Sequence, residues 1–158
     1  MTTPATTSAP SLSLRPLAGL HVEIAEPIDA GRIRAGQRLI IPITGGTVTG
    51  RISGHVVPGG ADWAIARDDG TTLVSATYAL RTDDGVILTV SNQGSLRGDD
   101  DATLGITACR IEAPQGAYFW LNDVPIVGSL VPFRADGTMG VDLAFYTVEA
   151  AAPPLPPQ

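Results

Sequence analysis

Asp62 has the clearest chemical potential in this sequence. It follows Gly59-Gly60-Ala61 and precedes Trp63, and paired glycines let a backbone turn tightly enough to deliver an acid and a large aromatic to the start of the next extended segment. If Asp62 points inward among apolar walls, desolvation raises its pKa and makes it a general base or acid near neutrality. The alternative is an aspartate that accepts backbone amides in the Gly-Gly turn. Adjacent strand residues face opposite ways, so Asp62 and Trp63 cannot share one interior unless a bulge intervenes. Tyr78 is the second candidate. Its phenol can donate to a substrate carbonyl or a developing enolate while its ring packs on apolar ligand atoms, and its parity matches Thr72, Val74, Ala76 and Leu80. The alternative is a core tyrosine whose hydroxyl is bonded to backbone. Arg81 has the opposite parity, with Leu73, Ser75, Thr77 and Ala79; it suits an anionic ligand if that face is interior, and is a solvated arginine if it is not.

Tyr118-Phe119-Trp120-Leu121-Asn122 packs three aromatics into five residues, although aromatics make up only 5% of the chain. Read as a strand, it puts Tyr118, Trp120 and Asn122 on one face. With Trp63 and Tyr78 they form an aromatic pocket ending in an amide, or else an inter-strand core cluster with Asn122-Asp123 as turn residues. His55 shares a face with Thr49, Arg51 and Ser53, so it is either a proton shuttle or part of a solvated face. His21 with Glu23 forms a weaker acid-base pair. No histidine has metal-ligand spacing, so no metal site is expected. The run Asp99-Asp100-Asp101 lacks the alternating oxygen ligands of a calcium loop and reads as a solvated turn.

Other chemistries are excluded by absence from the sequence. All ten basic residues are arginine, which removes Schiff-base lysines and the lysine of a phosphate loop. Gly45-Gly46 opens no helix, so no dinucleotide fingerprint is present and no cofactor is expected. There is no Gly-x-Ser-x-Gly sequence, and the lone Cys109 has no histidine close in sequence, which argues against covalent hydrolysis. With 16 acidic residues, the net charge is −6; nucleic-acid binders normally carry a basic face, so no such partner is expected. One cysteine allows no internal disulfide, so packing must hold the fold. No apolar run approaches the roughly 20 residues of a membrane helix, and Met1–Ser13 lacks the charged start and apolar block of a secretory signal. A soluble, cytoplasmic protein without a membrane partner is the expectation.

The elements that must position these residues are strands. Apolar residues recur with period two, and clusters of Gly, Asp and Pro break the runs. Expected strands are Gly19–Glu26, Arg38–Thr44, Thr47–Val57, Asp62–Arg67, Thr71–Thr82, Val86–Ser91, Thr103–Glu112, Ala117–Asn122, Val124–Val131 and Thr138–Glu149. Pro42 removes a ladder donor and marks an edge, a bulge or a strand end. Gly50 and Gly54, on one face of Thr47–Val57, mark curvature or close approach. Asp68-Asp69-Gly70 and Asp83-Asp84-Gly85 are tight hairpins that create a three-strand meander. A long antiparallel sheet with short loops escapes its edge problem most simply by closing. The expected fold is therefore all-β: a single-domain closed antiparallel β-barrel of about 8–10 strands, with a two-sheet sandwich as the alternative. Residues 15–149 form the domain, between a disordered tail at 1–14 and a Pro-rich tail at 150–158.

Several motifs, in order, resemble the DUF3237 (UPF0311) family of small proteins. They are Gly45-Gly46, the Gly50 and Gly54 spacing, Pro58-Gly59-Gly60-Ala61-Asp62-Trp63, Asp69-Gly70, Tyr78, Asp84-Gly85, Asn92 with Gly94, and Tyr118-Phe119-Trp120-Leu121-Asn122. The likeness runs from Val22 to Val148 and implies a closed antiparallel barrel with an internal cavity, while implying little about chemistry. The chain departs from the pattern at Arg97–Ile106, which is short and acidic where similar proteins are longer and richer in aromatics and arginine.

These residues point to a cofactor-independent enzyme doing acid-base chemistry on a small molecule in the barrel, of isomerase, hydratase/dehydratase or cyclase type. Asp62 is then the proton acceptor and Tyr78 the oxyanion donor, with Trp63, Arg81, Tyr118, Trp120 and Asn122 binding substrate. The alternatives are a non-catalytic small-molecule-binding barrel and an oligomeric structural protein, a homo-oligomer built on the aromatic strand. An inward carboxylate favours the enzyme, because a passive apolar binder has no reason to bury one.

Overall fold

In the computed structural model, which describes residues 9–98 and 103–151, the chain forms nine strands and one 3-10 helix, Phe119–Asn122. The strands are β1 (Leu12–Ile24), β2 (Ile28–Ile33), β3 (Gly36–Gly50), β4 (Gly54–Ala66), β5 (Thr71–Thr82), β6 (Ile87–Arg97), β7 (Leu104–Glu112), β8 (Ile126–Ala135) and β9 (Thr138–Ala150). Each of β3 to β9 pairs antiparallel with the next, β9 pairs with β1, and β1 returns to the second half of β3. This closes a barrel of eight strands, which removes the exposed edges that an open sheet would carry. β2 stands outside that ring. It continues the edge of β3 beyond Ile24, pairing Ile28 with Ile40 and Ile33 with Gly36.

Strict alternation produces the inside and the outside. In β7 the pattern is perfect, with Gly105, Thr107, Cys109 and Ile111 buried and their neighbours exposed. The inward residues fill one end of the barrel and not the other. At the end reached by the β3–β4, β5–β6 and β7–β8 connections, Leu17, Ile52, Leu80, Leu88, Ile111, Leu121 and Phe145 are all less than 2% exposed. Close packing there leaves no room for a ligand. Leu121 comes from the 3-10 helix, which lies across this end.

Two irregularities set the inward faces of β3 and β4. Between Pro42↔Ala61 and Thr47↔His55, β3 advances five residues while β4 advances six. The odd difference switches parity on β3, so Ile41 and Ile43 face inward before it and Val48 after it. Between Val57↔Ala79 and Ala61↔Thr77, β4 advances four residues against two on β5. That even difference preserves parity, so Val56 and Asp62 both face inward. Three residues, Pro58, Gly59 and Gly60, thus stand opposite the single Tyr78, an excess of two. Gly59 has φ +116°, and a Cβ on Gly60 would lie 2.5 Å from the Tyr78 Cβ; only glycine allows the bulge to press against Tyr78.

The structure corrects several expectations. Thr47–Val57 is two strands, β3 and β4, joined by a corner at Arg51-Ile52-Ser53, with Arg51 N–H donating to Leu17 O and Asp83 N–H to Ser53 O, each at 2.9 Å. Gly50 and Gly54 flank that corner, and a Cβ on Gly54 would lie 2.1 Å from the Arg81 carbonyl oxygen. Ala117–Asn122 is not a strand. Asn122 closes the loop on itself: its Oδ1 accepts from Ala113 N–H at 3.1 Å, and its Nδ2 donates to Ala113 O at 2.9 Å and Phe119 O at 2.8 Å. The segment therefore crosses the packed end as a 3-10 turn, with no neighbouring strand to pair with. Asn122→Ala is expected to cost about 1–3 kcal/mol in urea denaturation; an unchanged midpoint would show that this closure contributes nothing.

The domain also extends past its expected limits, since Leu12 pairs with Ala150 and Ala151 N–H donates to Ser11 O. Residues 1–8 and 152–158, and Asp99-Asp100-Asp101, lie outside the described residues. β2 was not expected, because its exposed Asp-Ala-Gly-Arg centre carries no alternation. Among the described residues no helix is long and apolar enough to cross a membrane.

Candidate functional site

The unfilled end of the barrel holds a cavity of about 180 Å³. Aliphatic side chains make up most of its wall, β1, β3, β8 and β9 contributing no polar side chain, and Asp62, Thr72, Tyr78 and Asn92 of β4, β5 and β6 supply the polar ones. Asp62 is the only charged side chain among the described residues that line it. An open vestibule shares Ile24, Thr72, Leu96, Pro132 and Gly140 with the cavity, which places the mouth at the rim opposite the 3-10 helix.

Register brings the polar groups together. Asp62 pairs with Ala76, Ala76 with Asn92, and Asn92 with Cys109, so the four lie in one row across the wall. The small Ala76 leaves the space between Asp62 and Asn92 open. Tyr78 is the next inward residue of β5, toward the packed end, and is held from behind by the Pro-Gly-Gly bulge. One polar side therefore faces an aliphatic one.

At Asp62 the sheet itself is altered. Pairing between β4 and β5 stops after Asp62↔Ala76 and resumes at Ile65↔Leu73. Across this gap Ser75 N–H donates to Asp62 Oδ1 at 2.7 Å, and the Trp63 carbonyl accepts from Arg38 Nη1 at 2.6 Å. Side chains thus satisfy backbone groups that a regular ladder would pair with each other. Asp62 does accept a backbone amide, as the turn reading held, but the amide belongs to the next strand and the carboxylate lines the lumen. Its Oδ2 has no hydrogen-bond partner among the described residues. Burial raises the Asp62 pKa above the ordinary carboxylate value, against the lowering effects of the Ser75 amide and the Arg38 charge outside the wall.

Tyr78 is 4% exposed, and its hydroxyl has no partner among the described residues. Burial, with a smaller contribution from Cys109, holds its pKa far above the ordinary value. It is therefore a neutral phenol with a proton to donate at any physiological pH. Asn92 is 2% exposed and its Oδ1 is likewise unpartnered. Cys109 is buried on the same inward face, its thiol pushed up to about 12 by burial. A thiol of that kind is no nucleophile. Iodoacetamide at pH 8 is expected to leave it intact in the folded protein and to modify it once the protein unfolds; rapid native labelling would contradict the buried position.

The remaining candidates lie elsewhere. Trp63 is on the outer face, 51% exposed, beside an open groove of about 870 Å³ that includes Arg38 and Ser75. Arg81 is exposed on the outside of β5. The Tyr118 hydroxyl donates to Asp84 Oδ1 at 3.0 Å, and the Arg51 guanidinium sits over the Trp120 ring, 4.8 Å from its centroid. With Asn122 they close the packed end, so the expected aromatic pocket does not form in the lumen. The reason is the 3-10 turn, which removes the strand alternation that put these residues on one face. His55 is exposed, and His21, on the outer face of β1, has Nδ1 2.6 Å from Asp142 Oδ1 and stacks on Phe133. Among the described residues no three His, Cys, Asp or Glu side chains gather as metal ligands.

Asn92 was not among the residues singled out for chemistry. The signal was present: Asn92 shares its parity with Leu88, Val90 and Leu96 and is the one polar side chain on that face. Ending the expected strand at Ser91 hid it.

A family profile described as "Protein of unknown function (DUF3237)" matches residues 12–148. A UPF0311 protein of Rhodopseudomonas palustris is 35% identical over 135 residues, covering 76% of this chain and 88% of that protein. Its crystal structure aligns with a TM-score of 0.77 and 32% identity, covering 89% of this chain and 99% of that one. A β-barrel-like protein of Acinetobacter baumannii gives a TM-score of 0.79 at 30% identity, over 91% of this chain and all of that one. A protein of Penicillium herquei, described as an enzyme, shares the fold with a TM-score of 0.66 at 21% identity, over 93% of this chain and all of that one.

Proposed function

The chain belongs to the DUF3237 family, and on that premise we propose that it is a cofactor-independent enzyme doing acid-base chemistry on a small carbonyl compound in the barrel lumen. The observation that carries this reading is the pairing of opposite proton roles in one cavity. Asp62 offers an unpartnered carboxylate oxygen whose basicity burial has raised, and Tyr78 offers an unpartnered neutral hydroxyl.

In such a step Asp62 takes the proton from carbon adjacent to the substrate carbonyl. The C–H electron pair becomes the new C=C bond, and the carbonyl π pair moves onto oxygen, where the Tyr78 hydroxyl donates to the oxyanion. Returning the proton to a different carbon completes an isomerisation with no net change in composition; expelling or adding water or an internal nucleophile gives the dehydratase, hydratase and cyclase variants. The aliphatic wall excludes water, which strengthens both interactions. A fold shared with a protein described as an enzyme is consistent with chemistry in such a lumen.

The test is hydrogen exchange on single-ring ketones, with cyclohexanone and cyclohexane-1,2-dione incubated with the protein in D2O. Proton NMR is expected to show protein-catalysed loss of the signals adjacent to the carbonyl, absent with Asp62→Asn. Binding of these ketones without exchange would sink the enzymatic reading and leave a binding barrel.

A further inference from the structure

We infer that Asn92 sets ligand specificity, so that the lumen selects neutral, single-ring-sized molecules carrying a hydroxyl or another hydrogen-bond donor and rejects anions. The inference rests on the lumen being the ligand site, as proposed above, and is independent of catalysis.

Three observations carry it. First, Asn92 is buried to 2% exposure on the cavity wall, and its Oδ1 has no partner among the described residues. A buried carbonyl oxygen without a donor is costly, and a ligand donor would satisfy it. Secondly, Asn92 and Asp62 lie in one row with Ala76 between them. Both line the lumen and carry an acceptor oxygen, Asn92 Oδ1 and Asp62 Oδ2, that has no partner among the described residues, so a ligand edge that donates hydrogen bonds complements this stretch of wall. The Tyr78 hydroxyl, one step deeper, remains free to donate to a ligand acceptor. Thirdly, the only charge among the described lining residues is that of Asp62, while Arg38 sits outside the wall. An anionic ligand would add a second negative charge to a low-dielectric lumen with no cation on its wall, since Arg38 acts only from outside it and Arg134, in the vestibule, is paired with Glu26.

Size follows from volume. The cavity measures about 180 Å³, slightly more than the roughly 150 Å³ apolar cavity that holds benzene. One ring with a polar substituent fits; a fused polycycle requires the walls to move.

The experiment uses four probes of nearly equal size, phenol, anisole, toluene and benzoate, titrated into the 158-residue protein at pH 7 by isothermal calorimetry. Phenol is expected to bind about tenfold more tightly than anisole or toluene, the effect of one satisfied buried acceptor, and benzoate is expected not to bind. In Asn92→Leu, which keeps the shape and removes the acceptor, the preference for phenol over toluene is expected to disappear while toluene binding persists. Ala76→Leu, which fills the space between Asp62 and Asn92, is expected to abolish binding of every probe.

Benzoate binding as well as phenol, equal affinity for phenol and anisole, an unchanged ranking in Asn92→Leu, binding that survives Ala76→Leu, or no binding by any probe would each overturn the inference. The probe ranking in the wild-type protein decides the matter even if a variant does not fold. Loss of Asp62-dependent exchange with the ranking intact would remove the enzymatic reading and leave this one; exchange with benzoate bound would do the reverse.

Discussion

Asp62→Asn is expected to lower turnover by about 10²- to 10⁴-fold, the usual contribution of a positioned general base, while leaving affinity for a ketone, which brings no hydrogen-bond donor to Asp62, within a few-fold. The asparagine Oδ1 can still accept from Ser75 N–H, now 2.7 Å from Asp62 Oδ1, so β4 keeps its place and only the proton acceptor is lost. A fall in kcat with KM little changed is the signature of an interaction that acts in the transition state. A parallel rise in KM would instead assign Asp62 to binding.

The same substitution has an opposite effect on stability, and pH reveals it. Burial raises the Asp62 pKa in the folded state. A group whose folded pKa is raised stabilises fully below its unfolded pKa, and that contribution is lost as pH rises through the folded value. At pH 7 the ionised Asp62 therefore costs stability, and Asp62→Asn is expected to have the higher Tm. The difference should vanish once the pH falls below the ordinary carboxylate range. An Asp62→Asn variant less stable at pH 7 than wild type would show that the Ser75 contact outweighs the burial penalty. A proposed base that costs stability where it sits would follow the usual compromise of a functional site.

Phe145→Ala is expected to be the most destabilising change in the barrel, by about 3–5 kcal/mol, measured by chemical denaturation. Phe145 is 1% exposed and among the largest fully buried side chains. It also stands next to Leu143 on the inward face of β9, and Leu143 lines the cavity. Removing the ring therefore opens a void beneath the cavity floor. Ligands larger than one ring are expected to gain affinity relative to phenol, because Phe145 marks where the packed end stops and the lumen begins. A variant that loses stability without any change in ligand size preference would show that the void collapses.

Much of the fold was legible because strands write their two faces directly into alternating residues. β5, β7 and β9 were recognisable from that alternation, and the acidic turns between strands gave the meander. The failures have specific causes. Gly50 and Gly54 do mark close approach, to the Leu17 and Arg81 carbonyls, but the chain break between them is not legible, since a glycine needed for a corner and one needed for a bulge look the same locally. Tyr118 to Asn122 read as a strand because alternation does not record that Asn122 bonds back to Ala113. Asn92 lay on an apolar face in plain view, hidden only by a strand end placed too early.

For the site, residue type alone singled out Asp62 and Tyr78, and parity separated Asp62 from Trp63. Which of those two lines the lumen depends on an even count of extra residues at Pro58-Gly59-Gly60 and on an odd mismatch in β3, both measured against neighbouring strands. A count of that kind exists only once the strands are paired. The missing lysine reduced the possible proton carriers to a few carboxylates, two histidines and some tyrosines. Closure of the barrel then put both histidines outside and two of the candidate proton carriers, Asp62 and Tyr78, inside. The sequence by itself determined the alternation, the turns and the available functional groups, because these are local properties. Only the tertiary structure decided which groups share a cavity, because register and closure are relations between strands distant along the chain.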